Sequence, residues 1–270
     1  MPYAQRSTDA TTILLVHAQP EPSSLTQSLV EIARSYLEQV GHRVFESDLY
    51  GMKWKAVFDA EDLPERFDDS RLSFITESRH AYAKALQTKD VETEQANLLD
   101  ADAVVFLFPL WWFGFPAILK SWVDRVFAYG LVYGYKDAGN AYRYGEGGLA
   151  GKRAMLAVSV GGSQQDYGAR GINGSLEQIP FPITHGTLFF SGMEVLPTFA
   201  VYGAGEISKE AVEEAKRRLM ARLAGLFSDS PIPFRHQNDG DYPDRHQLGA
   251  EVAPYRTGLL AHLKDPDRFF

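Results

Sequence analysis

The chain has 270 residues, 45% of them hydrophobic and 23% charged, with 17 Phe and 13 Tyr; that is enough for a large aromatic core in one α/β domain. Its 27 Lys plus Arg face 35 Asp plus Glu, a net charge of −8, and a surface of that sign repels phosphate backbones and anionic headgroups, which argues against nucleic acid or a lipid surface as partner. The absence of cysteine excludes disulfides, thiolate metal sites, Cys nucleophiles and iron–sulfur ligation, so any redox chemistry needs an organic cofactor.

The opening residues, MPYAQRSTDATT, are polar and lack the apolar core of a signal peptide, so a cytoplasmic location is expected. Thr12 to His17 is a short apolar run with a β-branched start, the pattern of a buried parallel strand. After a turn-rich loop, apolar residues recur at Leu25, Leu29, Ile32, Ala33, Tyr36, Leu37 and Val40, which predicts a helix. Ser24 and Gln27 fit a capping box and Gly41 a C-terminal stop. Arg43 to Asp48 then completes a β-α-β unit. Residues 49–100 form a polar excursion with a predicted helix from about Glu77 to Leu99.

Ala103 to Phe108 is the strongest strand in the chain. The uncharged stretch from Ala103 to Leu119 approaches the ~20 apolar residues of a membrane span. Pro109, Gly114 and Pro116 interrupt it, however, so it reads as strand, loop and helix start, without membrane insertion. Pro116 suits the first position of a helix whose face is Ile118, Leu119, Trp122, Val123, Val126 and Phe127. Arg153 to Val160 is a further buried strand, Val195 to Tyr202 the last, and Ser208 to Phe227 a terminal amphipathic helix capped by Ser208. Strands alternating with helices predict a parallel sheet with helices on both faces. The domain is expected to span 1–227, with 228–270 a Pro-, Asp-, Arg- and His-rich extension packing on it or on a subunit partner.

In such sheets ligands bind beyond the carboxyl ends of the strands, which places the chemistry in three loops. The first, Gln19 to Thr26, joins a strand to a capped helix. Its amides, with the Ser24 and Thr26 hydroxyls, can hold a phosphate, or its Ser and Pro residues simply punctuate a turn. It carries neither the dinucleotide-fold glycine fingerprint nor a P-loop. The second, Pro109 to Phe113, sets Leu110, Trp111, Trp112 and Phe113 at the ligand edge, where they offer either a wall for a planar ring or core packing. The third, Gly161 to Tyr167, has the Gly161–Gly162 pair of a backbone nest or of a plain turn, and the Tyr167 hydroxyl. Tyr133 and Tyr135 offer further hydroxyls to a substrate, or surface packing. No histidine pair has helical metal spacing, and His236 and His246 among Asp239, Asp241 and Asp244 read as a solvated polar segment, with a metal site as the alternative.

Together, FPLWWFGFPAILKSWVDRVFAYGLVYGY, VGGSQQDYGARGINGSLEQIPFPI, the ESDLY block from Glu46 to Tyr50 and the opening Gln19-Pro20-Glu21-Pro22-Ser23-Ser24-Leu25-Thr26 resemble the NAD(P)H:quinone oxidoreductases of DT-diaphorase type over about residues 12–225. The resemblance implies a flavodoxin-like fold, a doubly wound parallel five-stranded sheet of order 2-1-3-4-5 with helices on both faces, and a homodimer with FAD (FMN being the lesser alternative) at the subunit interface. It implies NAD(P)H as co-substrate, a quinone as electron acceptor, and two-electron hydride transfer by a ping-pong mechanism. It assigns the adenine and pyrophosphate end of FAD to Gln19, Leu25 and Thr26, and the isoalloxazine to Leu110, Trp111, Trp112 and Phe113, with Gly161, Gly162 and Tyr167 at its polar edge. Tyr133 and Tyr135 match substrate-gating tyrosines that reach in from the partner subunit. Two positions depart from the pattern. Gln19 replaces a flavin-binding His and cannot become cationic, and His17, on the same strand face, is the candidate to compensate. Asn173 stands where mammalian members carry a catalytic His; an amide orients a carbonyl but relays no proton, which leaves proton delivery to Tyr167 or water. The resemblance also admits a different role, that of flavin-bearing regulatory subunit of a glutathione-gated potassium efflux system; a one-electron flavodoxin carrier is a third reading.

Overall fold

The structure, a computed structural model, describes residues 11–266; the opening decapeptide, read above for targeting, and residues 267–270 of the extension lie outside the described residues. The elements run β1 (Thr12–His17), α1 (Leu25–Gln39), β2 (Arg43–Asp48), α2 (Phe74–Lys84), α3 (Lys89–Asp100), β3 (Ala103–Pro109), α4 (Ala117–Val126), β4 (Arg153–Ser159), α5 (Phe181–Ile183) leading into a π-helical turn (Thr184–Phe189), β5 (Glu194–Val195), β6 (Phe199–Val201) and α6 (Lys209–Ala224). The strands pair in parallel in the order β2-β1-β3-β4-β5, with β6 also on β4. This is the order that the family resemblance implies, with β6 as a short additional strand.

The period of two along each strand sorts the core into two layers. Leu14, Val16, Val104, Phe106, Phe108, Leu156 and Val158 face α3 and α4, with Trp122 wholly buried among them. Ile13, Leu15, Val105, Leu107, Met155 and Ala157 face α1 and α6. Both outer helices on that second face start as their sequences direct: Ser24 accepts from the Gln27 amide and Ser208 from the Ala211 amide.

Three boundaries differ from expectation, each for a local reason. The single helix expected from Glu77 to Leu99 is two, broken where Ala85 takes a left-handed conformation (φ 54°). The halves are tethered to different neighbours. Glu77 accepts from the Phe67 and Asp68 amides of the preceding loop, whereas Glu94 accepts from Ser47 on β2 (2.6 Å) and from the Trp122 indole on α4 (2.7 Å). The strand expected from Val195 to Tyr202 is interrupted between β5 and β6, because Pro197 has no N–H to give to the ladder. Pro116 caps α4 in an extended conformation (ψ 146°) and is not its first helical residue.

An ion cluster fastens the excursion to α4. Arg125 reaches Asp62 (2.7 Å) and Asp90 (2.6 Å), and its guanidinium lies over the Trp54 ring. Beyond α6 the chain returns along the β4–β5 edge, where Ile232 donates its amide to Val195 (2.7 Å), and Ile232, Phe234 and Leu263 join the first core layer. Phe234 also meets His185 of the π-helical turn edge-on at 5.0 Å. His185 is buried between Phe181 (4.5 Å, 18°) and Tyr144 (4.8 Å, 29°), and burial, helped by the neighbouring His262, pushes its pKa down to about 3.

Two predictions follow from these contacts. Glu94→Ala leaves the Ser47 hydroxyl and Trp122 indole N–H buried without acceptors and is expected to cost about 3 kcal/mol in urea unfolding of the full chain. In the unfolded chain His185 takes a proton near its ordinary value of 6.5, while the folded protein resists until about 3; protonation therefore favours unfolding, and stability is lost as pH falls through that window. His185→Phe keeps the ring stack and removes the proton. Stability measured against pH in both proteins should diverge below 6.5 in the variant's favour, by up to about 1.4 kcal/mol per pH unit.

Candidate functional site

At the carboxyl ends of β1, β3 and β4 lies an open cleft of about 500 Å³, bordered by Gln19, Ser24, Leu25, Thr26, Pro109, Trp111 and Ser159, with no residue of the third loop on its border. The site thus gathers the first predicted loop and part of the second. Its floor is the start of α1, whose first turn carries no acidic side chain. The Leu25 and Thr26 amides precede any intrahelical acceptor and have none among the described residues. That end of the helix attracts an anion.

The hydroxyls in this loop are committed elsewhere. Ser24 caps Gln27 and donates to Gln19 Oε1 (3.0 Å), and Gln19 Nε2 donates to Gln27 Oε1 (2.7 Å), so the Gln19 amide is fixed at both ends by α1. Thr26, 3% exposed, shares a buried hydrogen bond of 2.9 Å with Ser159 at the end of β4. Backbone amides, not the two hydroxyls, are therefore the groups free to meet a phosphate. Glu21 at the rim turns its carboxylate onto the Ser23 hydroxyl and amide, which hold its pKa below the usual carboxylate range. His17 does not compensate for Gln19: it is fully buried, with Nε2 3.1 Å from Glu46 on β2, and does not border the cleft.

The second loop is built on strained backbone. Trp112 (φ 49°) and Phe113 (φ 63°) both sit in the left-handed region, which costs a non-glycine residue about 1 kcal/mol or more. The turn closes by Gly114 donating to the Trp111 carbonyl (3.1 Å), and the Trp111 amide is taken by Pro109 (2.8 Å). The Trp112 and Phe113 amides have no acceptor among the described residues. Leu110 packs on the core, while Trp111 and Phe113 are each 45% exposed and Trp112 is 96% exposed. Such aromatic exposure on a strained turn points to a surface made to be covered.

Phe113 meets Tyr167 at 6.4 Å between ring centroids, which joins the second loop to the third. The Tyr167 ring is buried against Tyr202 (5.9 Å), and its hydroxyl has no partner among the described residues. The turn that carries it is a reciprocal cap between Ser163 and Asp166. A Cβ on Gly162 would come within 3.0 Å of the Tyr167 ring, whereas at Gly161 it would meet no protein atom within 4 Å. The turn thus leaves open space beside Gly161 and is filled by the tyrosine ring beside Gly162. Asn173 is anchored by its backbone N–H, which donates to the Asp166 carbonyl (3.0 Å), and Gly171 allows that approach, since a Cβ there would collide with the same carbonyl.

Tyr133 and Tyr135 stand apart. Tyr133 packs edge-on against Tyr129 (5.2 Å) and beside Phe190 (6.4 Å), and burial raises its hydroxyl pKa. Tyr135 faces Tyr142 (6.4 Å), with Lys136 near its ring. Neither borders the cleft. Among the residues at the cleft, Ser159, Ala204 and Ile207 carry no motif; the hydroxyl that ends the apolar run Ala154 to Val158 of β4 is the signal the sequence offers. The aspartates of the extension are engaged as well: Asp239 with Lys264, Asp241 with Arg235, and Asp244 with the His246 and Gln247 amides.

Comparison with known proteins agrees with this architecture. A flavodoxin-like fold model matches residues 11–223. The chain is 48% identical over 233 residues to a ribosyldihydronicotinamide dehydrogenase-like protein of Penicillium crustosum, covering 85% of this chain and 86% of that one. It is 35% identical over 222 residues to NAD(P)H dehydrogenase [quinone] 1 of Cavia porcellus, covering 82% and 79%. A crystal structure from Klebsiella pneumoniae, provisionally described as a quinone reductase, superposes with a TM-score of 0.90 at 44% identity, over 94% of this chain and 100% of that one. By fold, by sequence and by the make-up of its loops, the chain belongs to the flavodoxin-like NAD(P)H:quinone oxidoreductase family.

Proposed function

We propose that this oxidoreductase is an NAD(P)H-dependent quinone reductase holding FAD in the cleft and against the Trp111–Phe113 turn. The observation that carries the reading is the pairing of an uncommitted helix N-terminus at one end of the crevice with a strained, exposed aromatic turn at the other. The donor set suits a flavin nucleotide. The Leu25 and Thr26 amides suit its phosphates, with Gln19 as a neutral neighbour. Trp111, Trp112 and Phe113 suit the flat ring, and the free amides of Trp112, Phe113, Gly161 and Gly162 suit its heteroatoms. FAD held there would supply two-electron redox chemistry between NAD(P)H and a quinone, in a ping-pong sequence.

The chain's own part is to bind, orient and supply protons. Tyr167 presents an otherwise unpaired hydroxyl at the polar edge, the place for a donor to developing negative charge. Asn173 orients a substrate carbonyl. Tyr133 and Tyr135, set away from their own cleft, suit a homodimer in which each subunit's tyrosines close the partner's site and the exposed Trp112 is covered. The catalytic unit is taken as 1–227 and the protein as cytoplasmic. No helix among the described residues is long and apolar enough to cross a membrane.

The primary test is to purify the protein, release its flavin by heat and identify it chromatographically, following anaerobic bleaching by NADH or NADPH on the same sample. Released FAD and rapid bleaching are expected; a protein that stays colourless after incubation with FAD or FMN rejects the reading. Feeble quinone turnover with co-purification of a membrane transporter would instead favour the potassium-efflux regulatory role. Tyr167→Phe is expected to lower kcat on the order of 10²-fold with flavin still bound; an unchanged kcat removes Tyr167 from the mechanism. At position 112 the usual order of stability is expected to reverse in the flavin-free protein. Trp112→Gly should exceed Trp112→Ala by about 1 kcal/mol in urea unfolding, because glycine accepts the left-handed backbone. Both variants should retain flavin less well than the wild type.

A further inference from the structure

A second cavity, of about 330 Å³, lies where the extension crosses the turn that precedes β5, and it shares no residue with the flavin cleft. Its walls carry the guanidiniums of Arg143 and Arg245 and no carboxylate. In a chain of net charge −8, that local absence of acid marks a place built for negative charge. Arg143 is held in position: Nε donates to Gln237 (2.6 Å) and Nη2 to the Arg245 carbonyl (3.3 Å), which leaves Nη1 uncommitted. Gln237, 2% exposed, is pinned in turn by the carbonyls of Asn140 and Ala141. The Arg245 side chain is exposed and has no partner among the described residues.

The rest of the wall is largely aromatic, with Gln237 and the His246 imidazole completing it. His185, 9% exposed, borders the cavity from inside the Phe181–Tyr144 stack, and neither of its ring nitrogens has a hydrogen-bond partner among the described residues. Tyr242 keeps its proton, since burial pushes its pKa up to about 12. Its hydroxyl lies 2.8 Å from His262 Nδ1. Burial and Arg235 hold His262 below its ordinary pKa, which favours its neutral ring in this hydrogen bond. The cavity therefore offers cationic and neutral donors above aromatic faces.

We propose that this cavity binds a small planar organic anion, an aromatic carboxylate, with Arg143 and Arg245 on the carboxylate and the ring among Tyr144, Phe181 and His185. The guanidinium fork matches a carboxylate, and the volume accommodates one or two fused rings. The test uses the purified full-length, flavin-loaded protein and isothermal titration with 1-naphthoate, with inorganic phosphate as the second probe. Saturable 1:1 binding of naphthoate is expected, weakened roughly tenfold or more in Arg245→Gln, which removes one charge-assisted contact. Arg245 supports no other residue through its side chain, so this variant should keep the wild-type unfolding midpoint and flavin content. Trp111→Ala, at the other cleft, should leave naphthoate binding unchanged. The proposal is overturned by the absence of saturable binding, by equal affinity in Arg245→Gln, or by loss of binding in Trp111→Ala alone, which would place the ligand over the flavin. Phosphate binding as tightly as naphthoate, with the same Arg245 dependence, would reject the aromatic part and leave a simple anion pocket.

Discussion

Between β1 and β3 the chain leaves the sheet in opposite directions: α1 departs to one face and α4 to the other, although the two strands lie side by side and parallel. No loop can cover the gap between two diverging connections, so a crevice opens there whatever residues occupy it. Everything in the candidate site hangs on that divergence. It brings a helix N-terminus to one side, the end of β3 to the other, and the end of β4 within reach. The Thr26–Ser159 hydrogen bond (2.9 Å) ties the first helix to β4 directly beneath the opening.

On this frame the site combines two surfaces of opposite character. One is polar and already satisfied within itself, with the Gln19 amide locked by Ser24 and Gln27. The other is apolar, exposed and held by two left-handed aromatic residues. A folded chain gains nothing by presenting Trp112 to water on strained backbone. The conformation persists because the β3 end and the Trp111–Gly114 closure over-determine it, the usual sign of a surface kept for a ligand or a second subunit.

Much of this was readable from residues alone, and the parts that were not share a cause. β1, β3 and β4 were legible because burial on both faces leaves long apolar runs, and α1 and α6 because Ser24 and Ser208 are good caps. The aromatic turn announced itself by composition. What escaped depends on pairing at long range. The break at Ala85 carries no glycine or proline; it follows from Glu77 and Glu94 having different partners. His17 looked available to the cleft by strand alternation, but the approach of Glu46 turns it toward β2. The second cavity is assembled from side chains nearly a hundred positions apart, such as Arg143 and Gln237, a separation that no local pattern reports.

The turn from Thr184 to Phe189 winds as a π-helix, one residue wider than the α-helix that leads into it. Such a bulge is a matter of residue count as much as of residue type. Deleting one position within it would return the backbone to ordinary winding and swing every later side chain of the segment by about 100°. His185 would turn away from its flanking rings, and Phe190 from Tyr133. For this stretch of gene, a lost codon is a graver event than almost any altered one, and homologues of different length here should differ in what they bind long before they differ in fold.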